Sequence, residues 1–420
     1  MCQKEIRCRT TTTTRDAGSD AAGTGDTARR LAAIAAELAD QFYERASVVR
    51  ALVVAMLAGQ HSLLLGPPGT AKSELARELT GRIDQARYWE ILLSKFTDPK
   101  RMFGPVDVAA LTRGEYTQVF AGRATQCEIA FIDEIFKCSA GALNETLAFL
   151  NERLYHPENG GEPVACPLIS AITASNELPS GEELGALYDR LLVRLEVGYL
   201  QDPSNFAALV KSAVVAPAAP ARTTVDLAGL RDAAETGVPA VTVPDGTVDA
   251  VCTLRASLRR QELICSDRRW KQAVRLLQAS AYLAGRAAVD DADLEVLTAV
   301  LWESVAQRPA VEREVLQLVN PDAREALDLA DGVDEIEAQL EAKHGQSKEH
   351  LAEWVIKEAN SKLARAGKRL AELRAQSEAA GRATGTLDQA IARTRAVHGR
   401  VLSEALGIDA TAVAAQLGQA

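Results

Sequence analysis

Residues 63–79 read LLLGPPGTAKSELAREL. An apolar run enters the stretch, Gly66 and Gly69 punctuate it, Lys72 and Ser73 follow, and a helix-patterned segment leaves. Strand, glycine loop, lysine with hydroxyl, then helix is the order that a phosphate cradle requires. Glycines let backbone amides turn inward towards phosphate oxygens, and the following helix adds the positive end of its dipole. Gly66, Pro67, Pro68, Gly69, Thr70, Ala71, Lys72 and Ser73 therefore form the candidate nucleotide cradle. Lys72 would reach the β- and γ-phosphates, and the Ser73 hydroxyl would ligate Mg²⁺. Ala71 stands where the usual G-x-x-x-x-G-K-[S/T] signature has its last glycine. At the first turn of the helix with negative φ its methyl costs little; with positive φ it is strained by ~1 kcal/mol. Neither case removes an amide donor.

Working outward, five apolar runs read as strands: 62–65, 87–94, 128–135, 167–176 and 191–197. Helical patterns separate most of them, and 27–58 reads as one helix closed by Gly59, so the class is α/β with a parallel sheet. A proline- and alanine-rich stretch at 214–227 reads as a connector. Helical pattern returns from 246 to about 309. Beyond 310 strands disappear, and Ile336, Leu340, Leu351, Val355, Leu363, Leu370 and Leu373 fall at the spacing of long amphipathic helices.

The run IAFIDE ends in two adjacent carboxylates, Asp133 and Glu134. One can hold Mg²⁺ while the next activates an attacking water. Asn176 closes the fourth apolar run, at the end of a strand, where open parallel sheets bind ligands. It can orient that water or touch the γ-phosphate; as a turn residue it would simply cap the segment that follows.

Composition bounds the rest. The net charge of −10 argues against nucleic acid as the main partner. The seven scattered cysteines contain no C-x-x-C pair, which points to reduced thiols in a cytoplasmic protein. No apolar stretch approaches the ~20 residues of a membrane span. The five histidines show no ligand spacing, so no metal beyond Mg²⁺ is expected. Residues 1–29 read as a disordered tail.

With these residues laid out, the chain resembles the MoxR group of AAA+ ATPases, most closely its RavA-type branch, over roughly 35 to 310. The likeness rests on GPPGTAKS, IAFIDEIFKCSAGALNETLAFLNER, ITASNELP, LYDRLLVRLEV and SDRRWKQAVRLLQASAYLAGR. It implies a nucleotide-binding core at 30–205 with a five-stranded parallel sheet, a helical lid at 206–309 and a helical C-terminal region at 310–420. It also implies ATP and Mg²⁺ as cofactors. Asn176 matches sensor 1, Arg190 the arginine finger that reaches a neighbouring subunit's nucleotide, and Arg268 sensor 2, with Arg269 as the alternative. Residues 153–168 look like the hairpin inserted before sensor 1, where Tyr155 and His156 could face a client, although a lone histidine there is more often incidental; 113–122 resembles the insert in helix 2. A hexameric ring, a partner bearing a von Willebrand factor A (vWA) domain, a client protein and a remodelling ATPase activity follow from the same likeness. A nucleotide-dependent scaffold with negligible turnover is the alternative. The RavA-type β-rich C-terminal insertion has no counterpart after residue 310.

Overall fold

The computed structural model describes residues 17–157, 160–179, 182–214, 222–343, 347–382 and 384–406. Part of the expected connector (215–221), residues 158–159 within the expected hairpin and the first 16 residues of the expected tail lie outside the described residues. Two compact units are present: Met1–Val243 with Asp267–Val289, and Pro244–Ser266 with Asp290–Ala420.

In the first unit the five apolar runs become β1 (Ser62–Leu65), β2 (Tyr88–Leu92), β3 (Ile129–Asp133), β4 (Ser170–Ser175) and β5 (Val193–Glu196). They form one sheet in the order β2-β3-β4-β1-β5, every pair parallel. All residues of β1 and β4 are buried. Sheets covered on both faces favour such unbroken apolar runs. Leu65 aligns with Ser175 on one side and with Glu196 on the other. The carboxyl ends of β1, β4 and β5 are thus level, and the Gly66 amide donates to the Ser175 carbonyl at 3.1 Å.

The stretch expected as one helix is two, Ala17–Gln41 and Ala46–Leu57. Glu44, at φ 59°, breaks them. Its carboxylate accepts from the Gln201 and Asp202 amides, both at 2.9 Å, and these tertiary bonds override local propensity. The disordered tail expected to residue 29 is also corrected, because the first helix begins at Ala17. In its later turns Arg30 Nε donates to Asp26 at 2.7 Å across one turn.

The hairpin expected before Asn176 is present as Leu154–Tyr155 paired antiparallel with Val164–Ala165. Its tyrosine does not face outward. Tyr155 is 2% exposed, stacked on Phe103 at 5.0 Å, and its hydroxyl accepts from Gln118 at 2.9 Å in the expected helix-2 insert. The ring supplies core area and the hydroxyl finds a partner, so burial wins. His156 remains half-exposed, its Nε2 3.9 Å from the Glu152 carboxylate.

The segment 206–309 divides between the units. The helix Asp267–Leu283 belongs to the first, where it buries Ala273, Leu276, Leu277 and Ala281 and where Arg50 donates to Ser280 at 3.4 Å. The helix Asp245–Arg260 belongs to the second.

That second unit is helical throughout its described residues, with Pro321–Ala342, Asn360–Ala379 and Gly385–Leu406 its longest elements. Ile336, Leu340, Val355 and Leu363 meet Val397 and Val401 in one core cluster, with Leu351 packed against it. Leu370 and Leu373 meet Ala326 and Leu387 in another. The apolar stripe read from the sequence is therefore the seam of a bundle. Arg369 grips Glu325 through two bonds of 2.7 and 2.8 Å along its surface.

Candidate functional site

The cradle is shaped by residues that a side chain would spoil. A Cβ at Gly66 would lie 2.0 Å from the Val197 carbonyl oxygen, because β5 runs alongside. Gly69 sits at φ 78°. Ala71 is the N-cap of the helix Lys72–Thr80 at φ 61°, ψ 24°, so the strained alternative applies and the backbone carries ~1 kcal/mol that glycine would relieve. Thr70 Oγ1 donates to the Pro67 carbonyl at 3.0 Å, closing the loop on itself.

Lys72 begins the helix and is nearly buried. Its ammonium donates to the Gly66 carbonyl, to the Pro67 carbonyl at 3.0 Å and to Asn176 Oδ1 at 3.1 Å. Burial lowers its pKa from the ordinary lysine value, while Asp133 and Glu134 pull it upward.

Asp133 ends β3, and its Oδ1 accepts from the Glu134 amide at 3.0 Å. Glu134 itself adopts φ 53°, ψ 46°, the left-handed region that a side chain enters only at a cost of ~1–2 kcal/mol. Such strain persists where surrounding contacts enforce it, commonly at working sites. Here Asn176 Nδ2 donates to Glu134 Oε1 at 2.8 Å. Glu134 Oε2 is buried, completes no hydrogen bond, and pairs with Lys137 Nζ at 3.3 Å. Asn176 therefore bridges the cradle lysine and the carboxylate. Its amide orientation follows from chemistry, since an ammonium only donates and a carboxylate only accepts. Lys137 was not singled out from the sequence; its i+3 spacing from Glu134 was the available signal.

Among the described residues no group of three or more His, Cys, Asp or Glu gathers as a metal site. Ser73 and Asp133 suit a different demand. Mg²⁺ takes one or two protein oxygens and completes its shell with phosphate and water, and the unsatisfied Glu134 oxygen adds acceptor capacity beside them.

The three arginines lie in a second cluster organised by Asp189. Arg190 ends the helix Glu182–Arg190, donates to its own helix at the Ala186 carbonyl (2.9 Å) and stands 3.9 Å from Asp189. Arg268 pairs with Asp189 at 3.5 Å and donates to Asn151 at 2.7 Å. Arg269 pairs with Asp189 at 3.8 Å and is 1% exposed, against 39% for the Arg268 side chain. No hydrogen bond or ion pair among the described residues links these arginines to Lys72, Asp133, Glu134 or Asn176. The structure thus unites cradle, carboxylates and Asn176, and holds the arginines apart on two helices of the same unit. Cysteine chemistry is absent from the site: burial pushes Cys127 up to about 12 and Cys166 to about 11, which leaves both as inert thiols.

Comparison with known proteins agrees with this geometry. Residues 29–229 match the MoxR domain of the MoxR–vWA–beta-propeller ternary systems, and residues 246–315 match an AAA lid domain. Two uncharacterized proteins of Methanocaldococcus jannaschii are similar. MJ0079 is 32% identical over 312 residues, covering 74% of this chain and 80% of its own. MJ0812 is 32% identical over 308 residues, covering 73% and 80%. A crystal structure of a candidate ATPase from Cytophaga hutchinsonii shares the fold, with a TM-score of 0.58 at 15% identity over 72% of this chain and 97% of that one. The RavA-type placement stays at the level of the sequence resemblance. With its sheet order, its cradle and these matches together, the chain belongs to the MoxR family of AAA+ ATPases.

Proposed function

We propose that this protein hydrolyses ATP with Mg²⁺ and uses the cycle to remodel, mature or regulate a partner complex, working as a ring.

 The ring is a homo-hexamer, in which Arg190 of one subunit serves the nucleotide of the next. The observation that carries the catalytic reading is the bridge from Lys72 through Asn176 to Glu134, at 3.1 and 2.8 Å. One amide ties the group that would hold the γ-phosphate to the group that would take a proton from water, so the base is aimed before substrate arrives. Lys72 would exchange its carbonyl partners for phosphate oxygens, and the amides of the 66–71 loop would cradle the β-phosphate. Mg²⁺, when bound, would neutralise charge between the phosphates, held by Ser73 and Asp133. Arg268, the more exposed of its pair, would act as sensor 2 in its own subunit.

A partner with a vWA domain is proposed from the ternary systems that the matching MoxR model describes. A client complex and a cytoplasmic setting complete the reading; no helix among the described residues is long and apolar enough to cross a membrane. The deciding experiment is steady-state phosphate release by the assembled protein, compared with Glu134→Gln. Turnover that falls at least ~100-fold while ATP is still bound supports the proposal. Equal rates in the two proteins, or no release by the wild type, would sink it and favour the scaffold.

A further inference from the structure

The geometry points to a second ligand site, for a small molecule carrying a phosphate and an apolar body, in the cavity lined by Arg153, Arg231 and Arg275. The cavity has a volume of about 430 Å³, within the ~300–1,000 Å³ usual for small-molecule sites. It is not the ATP cradle. Gly59 on its wall precedes β1, and Leu168 and Ile169 precede β4, so it opens at the amino edge of the sheet, whereas the cradle follows β1. Strands of four to six residues separate the two edges by roughly 13–20 Å.

Three guanidiniums share this wall with one acidic side chain, Glu235. Arg275 donates to the Ala234 carbonyl and, among the described residues, makes no ion pair. Arg153, at φ 58°, spends its nitrogens on the carbonyls of Gly59 (2.9 Å), Leu150, Leu168 (3.0 Å) and Ile169 (3.4 Å), and contacts His61 at 2.7 Å. It too has no carboxylate partner among the described residues. Arg231 pairs with Glu128 at 3.3 Å, but Arg87 already holds that carboxylate at 2.7 and 3.1 Å. Positive charge therefore outweighs negative in the cavity of a chain whose net charge is −10. Partly buried cations without counterions are costly, and an anion entering here would relieve that cost. Guanidinium forks match phosphate oxygens in pairs. Leu168 and Ile169 offer the apolar remainder of the wall to the body of the ligand.

Calorimetric titration of the full chain carrying Lys72→Ala, which weakens the ATP cradle, tests the site independently of turnover. Phenyl phosphate is the probe and inorganic phosphate its head-group control. One phenyl phosphate should bind per chain, more tightly than inorganic phosphate. Adding Arg275→Gln should weaken it about tenfold or more, the loss of one charge-assisted bond. Adding Glu235→Gln, at an exposed position, should tighten it roughly two- to fivefold by removing a like charge. This second variant keeps the test decisive if Arg275→Gln perturbs folding, because a purely structural arginine cluster would leave affinity indifferent to Glu235. No binding to the Lys72→Ala chain overturns the inference. So does affinity that neither added substitution moves.

Discussion

Replacing Asn176 by aspartate keeps the side chain's shape and inverts one of its two bonds. Nδ2, which donates to Glu134 Oε1 at 2.8 Å, becomes an oxygen facing an oxygen. The lost charge-assisted hydrogen bond is worth ~1.5–3 kcal/mol. Two carboxylates at about 4 Å add a repulsion of ~4 kcal/mol at an effective dielectric near 20, enough to make the pair share one proton near neutral pH. The other bond strengthens, because Oδ1, 3.1 Å from Lys72, becomes part of an anion. Asn176→Asp should therefore lower kcat by more than ~100-fold and weaken ATP binding, since the added negative charge beside Lys72 repels the incoming phosphate. Its remaining activity should rise with pH as the shared proton leaves. Asn176→Ala removes the donor without adding charge, so kcat should fall roughly 10- to 100-fold with no such pH dependence. Phosphate release between pH 6 and 9, alongside titration with a fluorescent ATP analogue, separates the two variants. Equal kcat for both, or wild-type ATP affinity in Asn176→Asp, would show that the bridge does not couple lysine to base.

Three further outcomes follow from single residues. Gly66→Ala drives a Cβ to 2.0 Å from the Val197 carbonyl, so it should abolish nucleotide binding and lower the melting temperature, whereas Ala71→Gly should retain binding and shift stability by no more than ~1 kcal/mol. His61 is buried and held neutral, its pKa lowered to about 3 by desolvation and by Arg153. The unfolded chain takes up that proton below about pH 6.5, so this contribution to stability is complete above 6.5 and is lost as pH falls towards 3. Urea titrations should show up to ~1.4 kcal/mol lost per pH unit in that window, and His61→Gln should flatten the dependence. Leu363→Ala, at a fully buried seam of the C-terminal bundle, should cost ~2–5 kcal/mol while Glu325→Gln on its surface costs under ~1 kcal/mol, both read by denaturant unfolding.

The central strands β1 and β3 were legible because burial on both faces leaves little besides apolar residues in them, as in LLL of β1 and IAFI of β3, whereas the edge strand β2 is only partly buried. The cradle and the carboxylate pair were legible for a related reason: they sit directly at strand ends, so sequence position fixes their place. What depends on distant partners was not. Glu44 breaks a helix only because residues 201 and 202 lie opposite it. The aromatic ring of Tyr155 turns inward because Phe103 is there to receive it. The resemblance singled out Arg190 and Arg268, but could not reveal that Asp189 gathers both. Ala71 shows the same limit within one residue, since its letter left either sign of φ open and only the turn around it selects the positive one.

The cradle's own hydrogen bonds set the terms on which nucleotide can enter. Lys72 has three donors, and Gly66, Pro67 and Asn176 take them all. Reaching a γ-phosphate must withdraw at least one of these. Two of the acceptors are backbone carbonyls at the loop's base, and exchanging a neutral carbonyl for an anionic oxygen gains energy in a nearly buried site. The third is the amide that orients Glu134. Were the lysine to leave Asn176 as well, that amide would keep its bond to the carboxylate but lose its second anchor, and the aim of the base would loosen. Loss of the two carbonyl bonds alone leaves the bridge intact. The arrangement is consistent with activation only if Lys72 swings about Asn176 as a pivot, releasing the loop and keeping the amide, so the Asn176 substitutions above report on the lysine's path as much as on the base.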